Sequence, residues 1–272
     1  MRRYTLHIVL FILTVASTLI VGGPAYSSAV ILILLGHEMG HYLMSRRYGI
    51  RATLPFFLPF PLPPFGTLGA VIRMESTVSS RKALFDTGVA GPLTSLCLSL
   101  PAIVIGLSFS ELIPVSHVKE GALRLADPPL FSLMQHMVIG DVPANYDIVL
   151  HPIGFAGWVG LFVTALNLLP IGQLDGGHIA YALFGRTSRF ISLIAIAVMA
   201  FITIFYNPGW FLLLIFMILF GFRHPAPMDD QTPLDGKRKV IGGLAFLAFF
   251  LSFSPAPFPE FVEEIKQTLS WF

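Results

Sequence analysis

The sequence predicts an all-α polytopic membrane protein with about six transmembrane helices, seven being the alternative, and a small membrane-associated β-sheet after the second helix. Two observations lead to this prediction. Hydrophobic residues make up 55% of the 272 residues and charged residues only 12%, about half of the charged share in a soluble domain. The apolar residues also fall into separate runs that approach the ~20 residues needed to cross a bilayer.

Seven apolar runs follow one another along the chain. They cover residues 4–21, 27–44, 84–109, 153–169, 190–205, 210–222 and 240–253. Because the last two are short, one of them is expected to be tilted, interfacial or re-entrant. The first run follows Met1-Arg2-Arg3 and resembles a signal peptide, but the second run begins almost at once. We therefore expect a retained first span and a tight turn at Gly22-Gly23-Pro24.

The region between residues 50 and 75 is not expected to be helical. Prolines at positions 55, 59, 61, 63 and 64 remove backbone donors, and residues 66–73 alternate small and β-branched side chains. Non-helical backbone at membrane depth must be buried in protein or line a wet cavity. A short sheet satisfies that condition, and its edge could pair with an extended peptide. The alternative is a proline-rich loop packed on the bilayer.

The basic residues predict the topology. With the N-terminus in the cytoplasm, 14 of the 17 lysines and arginines fall in cytoplasmic segments, as the positive-inside rule requires. The three others are Lys119, Arg124 and Lys266. The outside loop, residues 110–151, is expected to hold a short amphipathic helix at 129–139, and residues 260–272 an interfacial helix.

The second apolar run contains His37, Glu38 and His41. Histidines four residues apart lie within about 40° on one helix face, so both imidazoles can bind one Zn²⁺ while the adjacent glutamate reaches a metal-bound water. Histidines that only pack between helices, or a chance occurrence of the pattern, are the alternatives. Ionisable groups inside a membrane are costly, and this favours a functional site.

A second polar segment ends the 153–169 run. Pro170 and Gly172 interrupt the helix there, and Asp175 follows, flanked by glycines. A catalytic zinc with two histidines needs a third protein ligand, for which Asp175 is the first candidate and His178 a weaker one. The alternative is that Asp175 only caps the helix that follows. The single cysteine, Cys97, cannot supply a thiolate-rich site.

Together the two motifs resemble those of the site-2 protease family of intramembrane zinc metalloproteases. The matching residues are His37, Glu38, His41, Asn167, Pro170, Leu174, Asp175 and Gly176. The stretch 66–70 resembles the strand that follows the first motif in that family, and Ala90-Gly91-Pro92-Leu93 resembles the start of its next core helix. The resemblance covers residues 27–178, and the chain has no segment long enough for an inserted PDZ domain.

The resemblance implies a zinc metalloendopeptidase with one Zn²⁺ per chain. His37, His41 and Asp175 would bind the metal, Glu38 would be the general base for attack by the activated water, and Asn167 would stabilise the oxyanion. The expected substrates are single-span membrane proteins, such as a membrane-tethered regulator cut in regulated intramembrane proteolysis. An unwound substrate would pair with the strand at Gly66, Thr67, Leu68, Gly69 and Ala70.

The expected organisation is one membrane-embedded domain, residues 1–272, in the lipid bilayer. Its catalytic core is residues 27–178, with the strand region at 50–75 and the extracytoplasmic loop at 110–151, and residues 179–272 supply the C-terminal spans and tail. The active site is expected near the cytoplasmic side. No basic patch with interleaved aromatic residues points to nucleic acid.

Three other functions are compatible with parts of this pattern. A membrane metal transporter would carry ligands through several spans, whereas here they collect at one depth. A non-catalytic membrane scaffold would have lost Glu38 or one of the candidate ligands, whereas this chain retains all of them. A membrane protease of the prenyl-protein processing type would use a later glutamate as third ligand, in place of the Leu-Asp-Gly setting of Asp175.

Overall fold

A computed structural model describes residues 2–74, 78–118, 123–221 and 224–259, without the side chains of residues 2, 3 and 220. Within these ranges, three helical stretches are long and apolar enough to cross a membrane, namely Tyr4–Arg47, Arg81–Ser108 and Asp175–Tyr206. Two shorter apolar helical stretches are Pro152–Asn167 and Pro208–Leu219. The mainly helical membrane fold is confirmed, whereas the interfacial helix predicted at 260–272 lies outside the described residues.

The first helical stretch, α1 (Arg2–Arg47), is a hairpin of two helices. The hydroxyl oxygens of Thr18 and Ser27 lie 2.7 Å apart. Nine residues of straight helix would separate them by about 13 Å along the axis. The chain therefore folds back between them. It does so at Gly23, whose φ of +74° is open to glycine but costly for other residues, with Pro24 beginning the second half. The predicted turn is confirmed.

The proline-rich region folds into a small sheet. It consists of two antiparallel strands, β1 (Phe56–Pro59) and β2 (Thr67–Val71). The hydroxyl of Ser17 donates to the Gly66 carbonyl at 2.6 Å, and that of Tyr26 donates to the Phe65 carbonyl at 2.7 Å. Both halves of α1 therefore hold the turn between the strands. The predicted sheet is present in place of the alternative, a proline-rich loop.

The segment predicted as an outside loop has secondary structure of its own. It contains β3 (Glu111–Pro114), α3 (Pro129–Val138) and β4 (Tyr146–Val149). The helix was predicted, but the antiparallel pairing of β3 with β4 was not. A cavity of about 490 Å³ is lined by residues of α3, β4 and the segments next to them. Burial there, together with the nearby charge of Asp147, raises the pKa of Asp127.

Six further helices complete the described fold. They are α2 (Arg81–Ser108), α4 (Pro152–Asn167), α5 (Asp175–Phe184), α6 (Ser188–Phe201), α7 (Phe211–Phe220) and α8 (Gly236–Ser252). Buried apolar side chains form two clusters, one containing Trp158 and Tyr26 and the other containing Phe85 and Ile179. Large apolar side chains on α6 and α7 face outward, as expected for helices in contact with lipid.

Ion pairs fasten the first turn of α8 and the segment before it to α2. Arg81 Nε lies 2.8 Å from an Asp230 carboxylate oxygen, and Arg238 Nη2 lies 2.6 Å from Asp86 Oδ2. The backbone adds a parallel bridge between Ser80 and Asp229. The chain that leaves α7 is thereby held across the N-terminal end of α2.

Candidate metal centre

Three buried side chains from two distant parts of the chain meet at one point. His37 and His41 lie on the second half of α1, and Asp175 is the first residue of α5. The Nε2 atoms of the two histidines are 3.1 Å apart. Asp175 Oδ2 lies 3.3 Å from His37 Nε2 and 3.2 Å from His41 Nε2. The three atoms form a nearly equilateral triangle.

This triangle has the dimensions of one face of a tetrahedral zinc site. Zinc bonds of ~2.0–2.1 Å to nitrogen and oxygen place neighbouring ligand atoms ~3.3 Å apart. The measured sides are 3.1–3.3 Å. Two imidazoles and one carboxylate also match a catalytic donor set, which leaves the fourth position open. The residues present therefore fit Zn²⁺, and within the described residues they are the only such group of three.

The neighbouring helix α2 orients one of the histidines. His41 Nδ1 lies 2.8 Å from the Thr87 carbonyl oxygen. A carbonyl can only accept, so Nδ1 carries the proton and Nε2 presents its lone pair to the centre. The Nδ1 atom of His37 has no hydrogen-bond partner among the described residues. The two candidate ligands therefore differ in how firmly their tautomers are set.

Asp175 reaches the histidines because the chain turns sharply before it. Helix α4 ends at Asn167, Gly172 adopts a φ of +52°, and α5 begins at Asp175. The sequence placed Asp175 at the end of an apolar run, whereas the structure places it at the start of the next helix. A carboxylate in a first helical turn is favoured by the helix dipole, and here it also faces both histidines. His178, the weaker candidate, lies outside the triangle and pairs with His224.

The two predicted catalytic side chains adjoin the triangle. Glu38 is 7% exposed, and its carboxylate is hydrogen-bonded to the backbone of Ile72. Asn167 Nδ2 lies 3.1 Å from His37 Nε2. An acceptor and a donor are therefore placed next to the same candidate metal position, one from each of the two motifs.

The predicted substrate strand ends at this centre. Of its five residues, Gly66 lies in the turn and Thr67–Ala70 lie in β2. Thr67 and Gly69 are buried, while Leu68 is 66% exposed. Ile72 follows the strand directly and contacts Glu38. Among the described residues β2 pairs only with β1, which leaves its second edge without a strand partner.

Comparison with known families agrees with this geometry. The profile of Peptidase family M50 matches residues 25–206, more than half of the chain, and includes all five predicted metal and catalytic residues. The chain belongs to this family. The predicted enzyme class, a zinc metalloprotease, and the predicted cofactor, zinc, are thereby confirmed at the level of the family, and the buried triangle is where the metal fits.

Several curated proteins are similar to this M50 chain. "Probable zinc metalloprotease EGY2, chloroplastic" of Oryza sativa subsp. indica is 29% identical over 245 residues, 86% of this chain and 43% of that protein. The Arabidopsis thaliana protein of the same description is 30% identical over 231 residues, 84% and 41%. "Probable zinc metalloprotease EGY3, chloroplastic" of Oryza sativa subsp. indica is 32% identical over 242 residues, 80% and 39%. The chain thus spans about two fifths of the length of these relatives.

Gly91 on α2 contributes to the centre without being a ligand. A Cβ at this position would lie 2.1 Å from His41 Nε2. The sequence motif Ala90-Gly91-Pro92-Leu93 marked the helix but did not reveal this contact, which only the packing of α2 on α1 creates. The close approach of the two helices therefore depends on glycine here.

Replacing Gly91 with alanine should lower the zinc content of the purified protein, because the new methyl group displaces His41 from the triangle. Elemental analysis measures the effect. The matched control is Gly243→Ala on α8, where no atom lies within 4 Å of the added Cβ. Full zinc content in the Gly91→Ala protein would show that His41 does not occupy the position described.

Proposed function

We propose that this M50 chain is an intramembrane zinc metalloprotease that cleaves the transmembrane segments of single-span membrane proteins, such as a membrane-tethered regulator. One observation carries the proposal. Two imidazole nitrogens and a carboxylate oxygen form a triangle with sides of 3.1–3.3 Å inside apolar helices, with a carboxylate and an amide beside it. This donor set is typical of zinc enzymes that hydrolyse their substrates. Its position inside apolar helices favours substrates that lie in the membrane.

His37, His41 and Asp175 would hold the zinc. When bound, Zn²⁺ supplies Lewis-acid chemistry, polarising a carbonyl and making water a stronger acid. Glu38 would take a proton from the attacking water and deliver it to the leaving amine, since a buried carboxylate next to the ligands can serve both steps. The Asn167 amide would donate a hydrogen bond to the oxygen that gains charge during attack.

Strand β2 would present the substrate to these groups. A peptide bond inside a helix is shielded, so the substrate must unwind locally before attack. The edge of β2 that β1 does not cover offers backbone partners for an unwound segment. Because Ile72 directly follows β2 and bonds to Glu38, a segment paired along Thr67–Val71 would lie beside the general base.

The alternatives fit the arrangement less well. A metal transporter needs a succession of ligand sites, but the described residues contain one group of three suitable side chains. A non-catalytic scaffold has no need for Glu38, which is retained, buried and placed beside the ligands. Both observations favour the protease.

Quantitative membrane proteomics tests the proposal in cells. Cells carrying Glu38→Gln in place of the wild-type chain should accumulate uncut single-span membrane proteins and lose their shortened products. Identical membrane proteomes in the two strains would contradict a proteolytic role for this site.

The topology supplies a separate prediction. The basic end of α1, with Arg46 and Arg47, lies one to two turns from His41, so the centre should open toward the cytoplasm. In a Cys97→Ser background, a cysteine at Val115 should react with an impermeant reagent in intact cells. A cysteine at Lys237 should react only after lysis. The reverse labelling pattern would overturn the proposed orientation, with the N-terminus inside and residues 110–151 outside.

A further inference from the structure

A cavity of about 780 Å³ adjoins the candidate metal centre. Four of its lining residues are each tied to a member of the centre: Ile72, Thr87, Gln173 and His178. The backbone of Ile72 bonds to Glu38, and the Thr87 carbonyl accepts from His41. Gln173 lies two residues before Asp175 in the sequence, and His178 lies three residues after it. The volume lies in the range of ligand-binding clefts, and the proposed mechanism does not use it.

Two segments supply about half of the residues that line this cavity. One continues β2 past its last residue through Ile72, Arg73 and Met74. The other consists of residues 224–227, which follow α7. The backbone N–H of Met228 donates to the Val78 carbonyl at 2.9 Å, so this second segment is fixed in place. The Arg81–Asp230 ion pair fastens the same segment to α2.

Two histidines that contact each other belong to the cavity lining. His224 Nδ1 lies 2.7 Å from the Pro225 carbonyl, which can only accept, so this nitrogen carries a proton. Burial lowers the pKa of His224, and the ring is therefore neutral near pH 7. Its Nε2 atom then accepts from His178 Nδ1 at 2.6 Å. The ring of Tyr181 stacks on that of His224, with 4.7 Å between the ring centroids, and so helps to fix the His224 ring from behind the lining.

Apart from Arg73, Thr87 and Gln173, the rest of the lining is apolar. No Asp or Glu occurs among the lining residues that the structure describes, and the one lysine or arginine, Arg73, is exposed. The apolar lining residues are Ile50, Ile72, Met74, Val78, Leu84, Pro225, Ala226 and Pro227. A lysine side chain placed here would lose its hydration without gaining a counter-charge. An apolar side chain of similar size has no charge whose hydration would be lost.

We propose that this cavity is the substrate subsite on one side of the scissile bond, and that it selects bulky uncharged side chains at that position. The inference rests on the proposed proteolytic function and names the substrate chemistry of the same site. Because Ile72, Arg73 and Met74 line the cavity, a substrate strand paired with β2 and continuing past Ile72 would enter it. Its next side chains would then lie in the space lined by residues 72–74 and 224–227.

A randomised substrate library tests the proposal. The full-length chain is reconstituted in liposomes with single-span peptides whose six central residues are randomised, and every cut is mapped by mass spectrometry. Wild-type protein should favour Leu, Met or Phe over Lys by about tenfold or more at one position on one side of the bond. The Ala226→Phe variant should shift that position toward small side chains and leave the other side of the bond unchanged.

Two controls separate the outcomes. Met228→Phe adds the same ring to the same segment, on a residue that is 75% exposed and does not line the cavity, and should keep the wild-type preference. The proposed subsite would be contradicted if lysine were accepted as well as leucine at every position of the substrate. It would also be contradicted if the Ala226→Phe variant had the same cleavage profile as wild type. Neither result would contradict proteolysis itself. If none of the cuts in the library is lost in the Glu38→Gln protein, the proposed function itself is contradicted.

Discussion

Replacement of Asp175 by alanine is expected to remove most of the zinc and all detectable proteolysis. The carboxylate supplies one corner of the candidate ligand triangle, 3.2–3.3 Å from both imidazole nitrogens. Even residues that only support metal ligands typically contribute 10–100-fold to affinity, so loss of a ligand should weaken binding by at least about 100-fold. Elemental analysis of the purified protein, with a titrated chelator, measures this directly.

Asp141 provides the matched control for this experiment. Its side chain is 94% exposed and pairs with an exposed histidine, His136, outside both motifs. The Asp141→Ala protein should keep one zinc per chain. Full zinc and full activity in Asp175→Ala would place the third ligand elsewhere, and His178 would be the next residue to test.

Glu38→Gln is expected to keep the fold and the zinc while lowering the cleavage rate by about 10²–10⁴-fold. Glutamine has nearly the same shape and can still accept the hydrogen bond from the Ile72 backbone, but it cannot take a proton from water at neutral pH. Zinc content and cleavage rate, measured on the same preparation, separate this effect from loss of the metal.

Glu111 on β3 is an exposed glutamate whose replacement by glutamine should leave both quantities unchanged. A Glu38→Gln protein that retains more than about a tenth of the wild-type rate would contradict the general-base role. A protein that loses zinc as well would instead show that Glu38 helps to hold the ligands.

The candidate ligand set was predictable because local geometry determines most of it. The four-residue spacing of His37 and His41 places both on one helix face, and an apolar run makes polar side chains conspicuous. The helix-breaking residues Pro170 and Gly172 indicated a turn that brings Asp175 inward. The structure adds that Asp175 begins the following helix, which the spacing alone did not decide.

Other features depend on contacts between segments that are distant in sequence. The approach of Gly91 to His41 and the hydrogen bond from His41 to the Thr87 carbonyl arise from the packing of α2 on α1. The pairing of β3 with β4 joins four-residue strands more than 30 residues apart, too short to show a clear alternation. The local sequence pattern contains no information on the α1–α2 contacts or on the β3–β4 pairing. The β1–β2 sheet could be predicted because the prolines in that region exclude a helix.

The central claim is that zinc-dependent hydrolysis occurs inside the membrane at the His37–His41–Asp175 centre. Its most direct test reconstitutes the wild-type chain in liposomes with a single-span protein that accumulates in Glu38→Gln cells, and maps the cut bond by mass spectrometry. We predict a cut within the apolar span that is lost with a chelator, restored by Zn²⁺ and absent with Glu38→Gln. A cut confined to the soluble flanks, or one that persists in the Glu38→Gln protein, would contradict the account.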